Sequence, residues 1–323
     1  MRARLLAVVS LVVFSVIYEL CGAAIAFPDK TLTIIVNGAA GSVVDIAARP
    51  VAEKLRVALG KPVIIDNRPG GGGFVAMRAL KSSPSDGHTL AVITSATMVW
   101  NRYIYDKLPF DPDADFIAVS PLQKSTSVLV LHPSVPANTF KEFSELARSR
   151  PGELNYASSG IGTPSHVMFE VLKGQTGLDI RHVPFRSGTD AISSIVRGDT
   201  QAYLISAVLV ESLVAAGKLK AIAISQRTIP SLMKVPTPAE EGISGMDGAV
   251  WTGLATVAGV PKEIVERLNR EISLALSDAD MVKMFAVSGS TPYIARPDEF
   301  AAQIRADNEF WGPKLRALKL KPE

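Results

Sequence analysis

The sequence predicts an α/β fold in two lobes with a ligand cleft between them. Three observations carry that reading. Short β-branched and aliphatic runs alternate with helical runs along nearly the whole chain, the pattern of strands crossed by helices. Two strand-to-helix turns are built from small residues: Asn37 to Ser42, and Ser158 to Thr163. Finally, Arg227 to Asp247 carries Pro230, Pro236 and Pro238 with little regular pattern, and reads as a long connection before strand and helix resume.

Taken in order, Thr31 to Val36 reads as a buried strand that runs through small residues into a helix from about Val44 to Leu59, which Gly60 ends. Ser42-Val43-Val44-Asp45 has capping-box spacing, so the Ser42 hydroxyl is expected to accept from the Asp45 amide and the Asp45 carboxylate to reach back to the Ser42 amide. The turn Gly38, Ala39, Ala40, Gly41 and Ser42 still leaves free amides, which with the positive end of the helix dipole behind them would suit an anion. Pro62 to Asp66 makes the next strand. Gly70 to Gly73 then forbids either regular element, and is either a second wall of the cleft or a surface loop before a helix from Phe74 to Lys81.

After the strand Thr89 to Ile93, the hydroxyls of Thr94, Ser95 and Thr97 stand at a strand end, free either to face a ligand or to cap the helix Met98 to Tyr105. Ser95 is taken as the ligand-facing candidate. Strands follow at Phe116 to Pro121 and Ser127 to Leu131, and Thr139 caps a helix to about Ser149. Leu154 to Ala157 repeats the opening pattern, with Ser158, Ser159, Gly162 and Thr163 in the turn and Pro164 at the helix start, where proline suits. The strand Ile180 to Pro184 leads through Phe185 and Arg186, the latter a ligand-binding candidate, to a helix ending at Arg197. Further units are a strand Gln201 to Ile205, a helix Ala207 to Ala216, a strand Leu219 to Ser225 and a strand Val250 to Val257. Pro261 opens an amphipathic helix to Ser277. Pro297 opens a last one whose Phe300, Ile304, Phe310, Trp311 and Leu315 form an apolar stripe for core packing.

Parallel α/β sheets hold ligands at the carboxyl ends of their strands, and both Gly/Ser turns sit at such ends. Residues 27–126 with 251–323 are therefore assigned to one lobe and 127–250 to the other, the chain crossing twice.

Composition bounds the function. The 323 residues, 47% hydrophobic and 20% charged, suffice for two cores and exclude a disordered chain. A net charge of +3 with scattered basic residues offers no nucleic-acid footprint. Residues 1–26 read as a secretory signal: Arg2 and Arg4, an apolar run from Leu5 to Ile17, then Ala24-Ile25-Ala26 before Phe27. The mature chain is expected to be exported to the periplasm, with the only cysteine, Cys21, cut away.

An exported serine hydrolase using Ser158 or Ser159 with His166 is the competing reading. It lacks a G-x-S-x-G elbow, and His166 falls inside the predicted helix. His88, His132, His166 and His182 have no metal-ligand spacing, and no P-loop lysine follows either turn. No metal or cofactor is expected.

An ordered set of motifs carries a more specific signal: Phe27-Pro28-Asp29-Lys30; Ala39-Ala40-Gly41 with Asp45 and Arg49; Asn67-Arg68-Pro69-Gly70; Asp86-Gly87; Leu108-Pro109-Phe110-Asp111-Pro112; Asn155-Tyr156-Ala157-Ser158; Pro164-Ser165-His166; His182-Val183-Pro184-Phe185-Arg186. Together they resemble the extracytoplasmic solute receptors of tripartite tricarboxylate transporters, often called Bug receptors. The resemblance implies a two-lobed periplasmic-binding-protein fold, a monomer that binds a small carboxylate between two turns, and integral membrane transporter subunits as partners. Departures fall at the first turn and beyond it. Gly38 stands where an aromatic is usual, Ser42-Val43-Val44 where Gly-Ser-Thr is usual, Phe74 replaces an asparagine, and Ile205 an aspartate. Polar recognition is therefore expected to shift to Ser159, Gly162 and Thr163. Gly38 is expected to leave space, and the ligand to be an apolar carboxylic acid.

Overall fold

The computed structural model describes residues 27–243, 250–318 and 320. The expected signal segment, 1–26, lies outside the described residues.

Two sheets organise the chain. The first holds β1 (Leu32–Val36), β2 (Val63–Asn67), β3 (Thr89–Thr94), β4 (Phe116–Ser125), β10 (Trp251–Val257) and β11 (Ser290–Pro292), in the order β11-β4-β10-β3-β1-β2. The second holds β5 (Ser127–Leu131), β6 (Asn155–Ser158), β7 (Arg181–Pro184), β8 (Ala202–Ser206) and β9 (Lys220–Ile224), in the order β7-β6-β8-β5-β9. In each sheet the strands that feed the Gly/Ser turns are parallel: β1 pairs with β2 and β3, and β6 with β7 and β8. Strands β10 and β5 run antiparallel to their neighbours. Val92, Ile93, Val128 and Val130 are fully buried, as expected of strands covered on both faces.

Helices cover the sheets. Helix α1 (Val43–Leu59) buries Ala47, Ala48, Val51, Leu55 and Leu59, one stripe at helical spacing, and closes on Gly60 at φ 65°. Next come α2 (Phe74–Lys81) and a π-turn Ala96–Trp100 running into α3 (Asn101–Ile104). Helix α4 (Phe140–Ser149) has its Thr139 cap accepting from the Glu142 amide. In the second lobe, α5 (Pro164–Thr176) and α6 (Gly188–Arg197) follow the β6 and β7 turns. The helix expected over Ala207 to Ala216 is instead a 3-10 turn, Ala207–Leu209, and α7 (Glu211–Ala215), broken at Val210. Helices α8 (Lys262–Leu276), α9 (Ala279–Val287) and α10 (Pro297–Leu318) complete the chain. Trp311 of α10 meets Trp100 edge-on at 5.4 Å, and Leu318 lies beside Gly174 of α5, so the last helix packs on both lobes.

The chain passes from β4 to β5 through one residue. Thr126 is fully buried, its amide bonded to Gly289 O and its carbonyl to the Ala207 amide. The Ser125 amide bonds Val250 O, so the outward and return crossings lie side by side. No helix among the described residues is long and apolar enough to cross a membrane.

Candidate ligand-binding site

A cleft of about 570 Å³ opens between the two sheets. Its walls come from the carboxyl ends of the strands: Asn37 after β1, Thr94 and Ser95 at β3, Ser159 after β6, and Ser206 at β8. Among the described residues no Asp, Glu, Lys, Arg or His side chain lines it. Val43, Val44, Ile161, Met168 and Ile205 supply apolar surface; Asn101, Tyr105, Ser165 and Tyr203 add polar groups.

The first turn does not form the expected capping box. Asp45 reaches past Ser42 to the Gly41 amide at 2.8 Å, and its carboxylate also accepts from Arg49 Nε and Asn67 Nδ2, each at 2.8 Å. Ser42 donates its amide to Ala39 O, and its buried hydroxyl has no partner. Two turn amides are thus consumed internally, one by the protein's own anion. Burial alone would raise the pKa of Asp45, but the bonds from Arg49, Asn67 and the Gly41 amide outweigh it and hold the carboxyl below the ordinary range. Gly38, Ala39, Ala40, Gly41 and Ser42 do not line the cleft; Val43 and Val44, one step further on, do. Nor does Gly38 leave space: a Cβ there would overlap Ser42 Oγ and stand 2.6 Å from Val44 Cγ2.

The glycine run is a cleft wall, with Gly70, Gly72 and Gly73 lining it. Its shape requires glycine at Gly73, where φ is 95° and a Cβ would stand 2.6 Å from Thr97 Cγ2. The three hydroxyls after β3 divide their roles. Thr97 Oγ1 accepts from the Thr94 amide at 2.9 Å and Thr94 Oγ1 from the Thr97 amide at 3.2 Å, whereas Ser95 lines the cleft and its buried hydroxyl has no partner. Phe74 does not reach the cleft; it packs edge-on against Tyr105 at 4.7 Å and supports that ring from behind.

The second turn is a hydroxyl cluster. Ser165 is its hub: Oγ accepts from the Ser159 amide and lies 3.1 Å from both Ser159 Oγ and Thr163 Oγ1. The Tyr203 hydroxyl from β8 joins Ser159 and Ser165, and burial pushes its pKa up, so it stays protonated. Neither Ser165 nor Tyr203 figured in the sequence-based set, although Ser165 stands two residues beyond Thr163. Thr163 Oγ1 donates to Gly160 O at 2.6 Å and the Gly162 amide donates to His166 Nδ1 at 3.1 Å, so these two residues line the cleft with their own donors committed to the turn. The amides of Ser165 and His166, in the first turn of α5, make no hydrogen bond among the described residues.

Ser158 lies behind this surface, fully buried, with Oγ 2.6 Å from His182 Nε2. It faces the interior of its lobe and is not a cleft residue. Arg186 is exposed and likewise does not line the cleft. His166 and His182 stack at 4.2 Å over Tyr156, with both pKa values pushed down by burial, that of His182 to about 4. Because Nδ1 of His166 accepts the Gly162 amide, that imidazole serves the turn rather than a nucleophile. No group of three or more His, Cys, Asp or Glu among the described residues could hold a metal ion.

The family model described as tripartite tricarboxylate transporter family receptor matches residues 47–320. A protein of Pseudomonas sp. (strain P51), a UPF0065 protein in the tcbD-tcbE intergenic region, is 33% identical over 292 residues, 88% of this chain and 85% of its own. A solved periplasmic transporter superposes with a TM-score of 0.79 at 32% identity, covering 91% of this chain and 99% of that one. The R. palustris protein Rpa4515, solved with adipate, gives a TM-score of 0.80 at 27% identity over 92% of this chain and 100% of its own.

Proposed function

The chain belongs to the tripartite tricarboxylate transporter receptor family, and from that premise we propose that it captures a small carboxylic acid in its interlobe cleft and delivers it to integral membrane transporter subunits. It is a receptor, not an enzyme. The observation that carries the ligand class is the hydroxyl cluster at the start of α5. Hydroxyl hydrogens rotate, so Ser159, Ser165 and Tyr203 can turn theirs to an anion, with the open amides of the α5 N-terminus behind them. Hydrogen bonds to a charged group contribute roughly 1.5–3 kcal/mol each, so a few of them reach the ~8 kcal/mol of micromolar binding after association costs.

Within the set expected from sequence, Ser95, Ser159, Gly162 and Thr163 are assigned to this site, the last two as shapers of the turn. The lobes are 27–126 with 251–323, and 127–250. The receptor works in the periplasm as a monomer, freed of residues 1–26 by cleavage before Phe27, which intact mass of the exported protein checks.

Thermal-shift measurements on ligand-stripped mature protein test the ligand class. Carboxylic acids are expected to raise the melting temperature through linkage, and the neutral amides of the same acids not to. Equal shifts from acids and amides, or none from any acid, would overturn the reading.

A further inference from the structure

The two walls of the cleft differ in what they leave unpaired, and the difference points to the ligand's far end. On the second-lobe wall stands the hydroxyl cluster just described. On the first-lobe wall, Asn37 and Ser95 stand at the ends of the adjacent strands β1 and β3. Ser95 is 2% exposed and its Oγ has no partner; Asn37 is half-buried, with its Oδ1 shielded and likewise without a partner. Both residues line the cleft. An acceptor and a hydroxyl at the ends of two adjacent strands suit a neutral group that both donates and accepts. Buried polar atoms left unpaired are costly, so a ligand that satisfies them gains what water-bridged alternatives give less specifically.

Charge sets the second condition. No Asp, Glu, Lys, Arg or His side chain lines the cleft among the described residues, and the nearby Asp45 carboxylate is 1% exposed with its oxygens committed to Gly41, Arg49 and Asn67. A ligand ammonium, or a second carboxylate on the first-lobe side, would lose water without meeting an opposite charge. Val43, Val44, Ile161 and Ile205 add apolar lining to the cleft. Resting on the carboxylate reading above, we propose that the receptor selects monoanionic carboxylates with an apolar body and a neutral hydrogen-bonding group at the far end, the carboxylate held by the Ser159–Ser165–Tyr203 cluster and the neutral group by Asn37 and Ser95.

Two matched series separate these conditions by calorimetric titration of ligand-stripped protein at pH 7. One is hexanoate, 6-hydroxyhexanoate, adipate and 6-aminohexanoate; the other is benzoate, 4-hydroxybenzoate, terephthalate and 4-(aminomethyl)benzoate. In at least one series the hydroxy acid is expected to bind about fivefold tighter than its unsubstituted parent, the return of one net hydrogen bond. The doubly charged and zwitterionic members are expected to bind at least about tenfold weaker than the hydroxy acid. Ser95→Ala, and independently Asn37→Ser, should shrink the hydroxy-to-parent ratio toward one. Tightest binding by a diacid or an amino acid, or a ratio unmoved in both variants, would overturn this selectivity while leaving the receptor a carboxylate binder. Failure of every acid in both series would overturn the carboxylate reading and this inference together.

Discussion

Gly73→Ala tests whether the glycine run is a built wall of the cleft or a slack loop. Gly73 is buried with φ 95°, a left-handed backbone that an L side chain enters at a cost of about 1–2 kcal/mol. Its Cβ would stand 2.6 Å from Thr97 Cγ2, and Thr97 cannot swing away without breaking the paired hydrogen bonds with Thr94, so overpacking adds about 1–3 kcal/mol. Stiffening of the unfolded chain returns about 0.4–1 kcal/mol. The net loss is about 3 kcal/mol, a fall in melting temperature of about 5–10 °C for a protein of this size. The same Cβ lies 3.3 Å from Asn37 Nδ2, so ligand affinity should fall as well. Thr97→Ser removes the offending methyl and keeps the Oγ1 that bonds Thr94. In a double-mutant cycle by denaturant unfolding, the pair should recover about 1–2 kcal/mol of the loss, because contact strain is relieved and backbone strain is not. A Gly73→Ala protein as stable as the parent, or a cycle with no coupling to Thr97, would refute the geometry.

Three further outcomes follow from the site. Ser165→Ala should weaken carboxylate binding about tenfold or more by calorimetry, since it removes the hub of the hydroxyl cluster and leaves the Ser159 amide without its acceptor. Stability in urea titrations should decline as pH falls from about 6.5 toward 4, because His182 keeps its neutral form when folded, down to about 4, while the unfolded chain takes up the proton earlier; the His182 contribution is about 3 kcal/mol, fully present only above the unfolded value, and replacement by Gln should flatten that slope. Asp45→Asn should lower the melting temperature at pH 7 and lose its effect in acid, since a carboxyl whose folded pKa is depressed contributes stability above its ordinary value and loses it as pH falls through the folded one.

The strand and helix order was legible because most elements announce themselves locally. Ser127–Leu131 and Phe74–Lys81 stand as the apolar pattern places them, and Thr139 caps its helix as its position suggests. Elements that depend on distant partners were not. Ser290–Pro292 is a three-residue strand ending in proline, and only pairing with Ser125 to Gln123 of β4 makes it one. Helix α9 did carry a signal, Asp278 ahead of Met281 and Phe285; its carboxylate accepts from the Asp280 and Met281 amides, but the sequence reading ends the preceding helix at Ser277 and assigns no element to this stretch.

At the site, what local spacing left open was how each turn spends its own donors. Ser42-x-x-Asp45 is a capping box by spacing, yet Arg49 and Asn67 pull the carboxylate to the Gly41 amide, and Asn67 comes from the next strand. The gap expected at Gly38 is closed by Ser42 and Val44, contacts that a missing side chain cannot announce. Tyr203 reaches the hydroxyl cluster only because β8 lies beside β6. These long-range facts make the walls unequal, and the inequality bears on closure. A ligand shifts lobes together only to the extent that it binds the closed form better. If the carboxylate is fully served by the second lobe, its binding gives no such preference; the preference must come from whatever meets Asn37, Ser95 and the Val43–Val44 rim across the cleft. Tyr105 already brings the first lobe close, its hydroxyl lying 3.9 Å from where a Cβ on Gly162 would stand. With a single buried residue, Thr126, between β4 and β5 and the return strand bonded alongside, the lobes are joined there by a short, hydrogen-bonded crossing. On the proposed selectivity the carboxylate holds the ligand, and the far end of the ligand supplies the preference for the closed form.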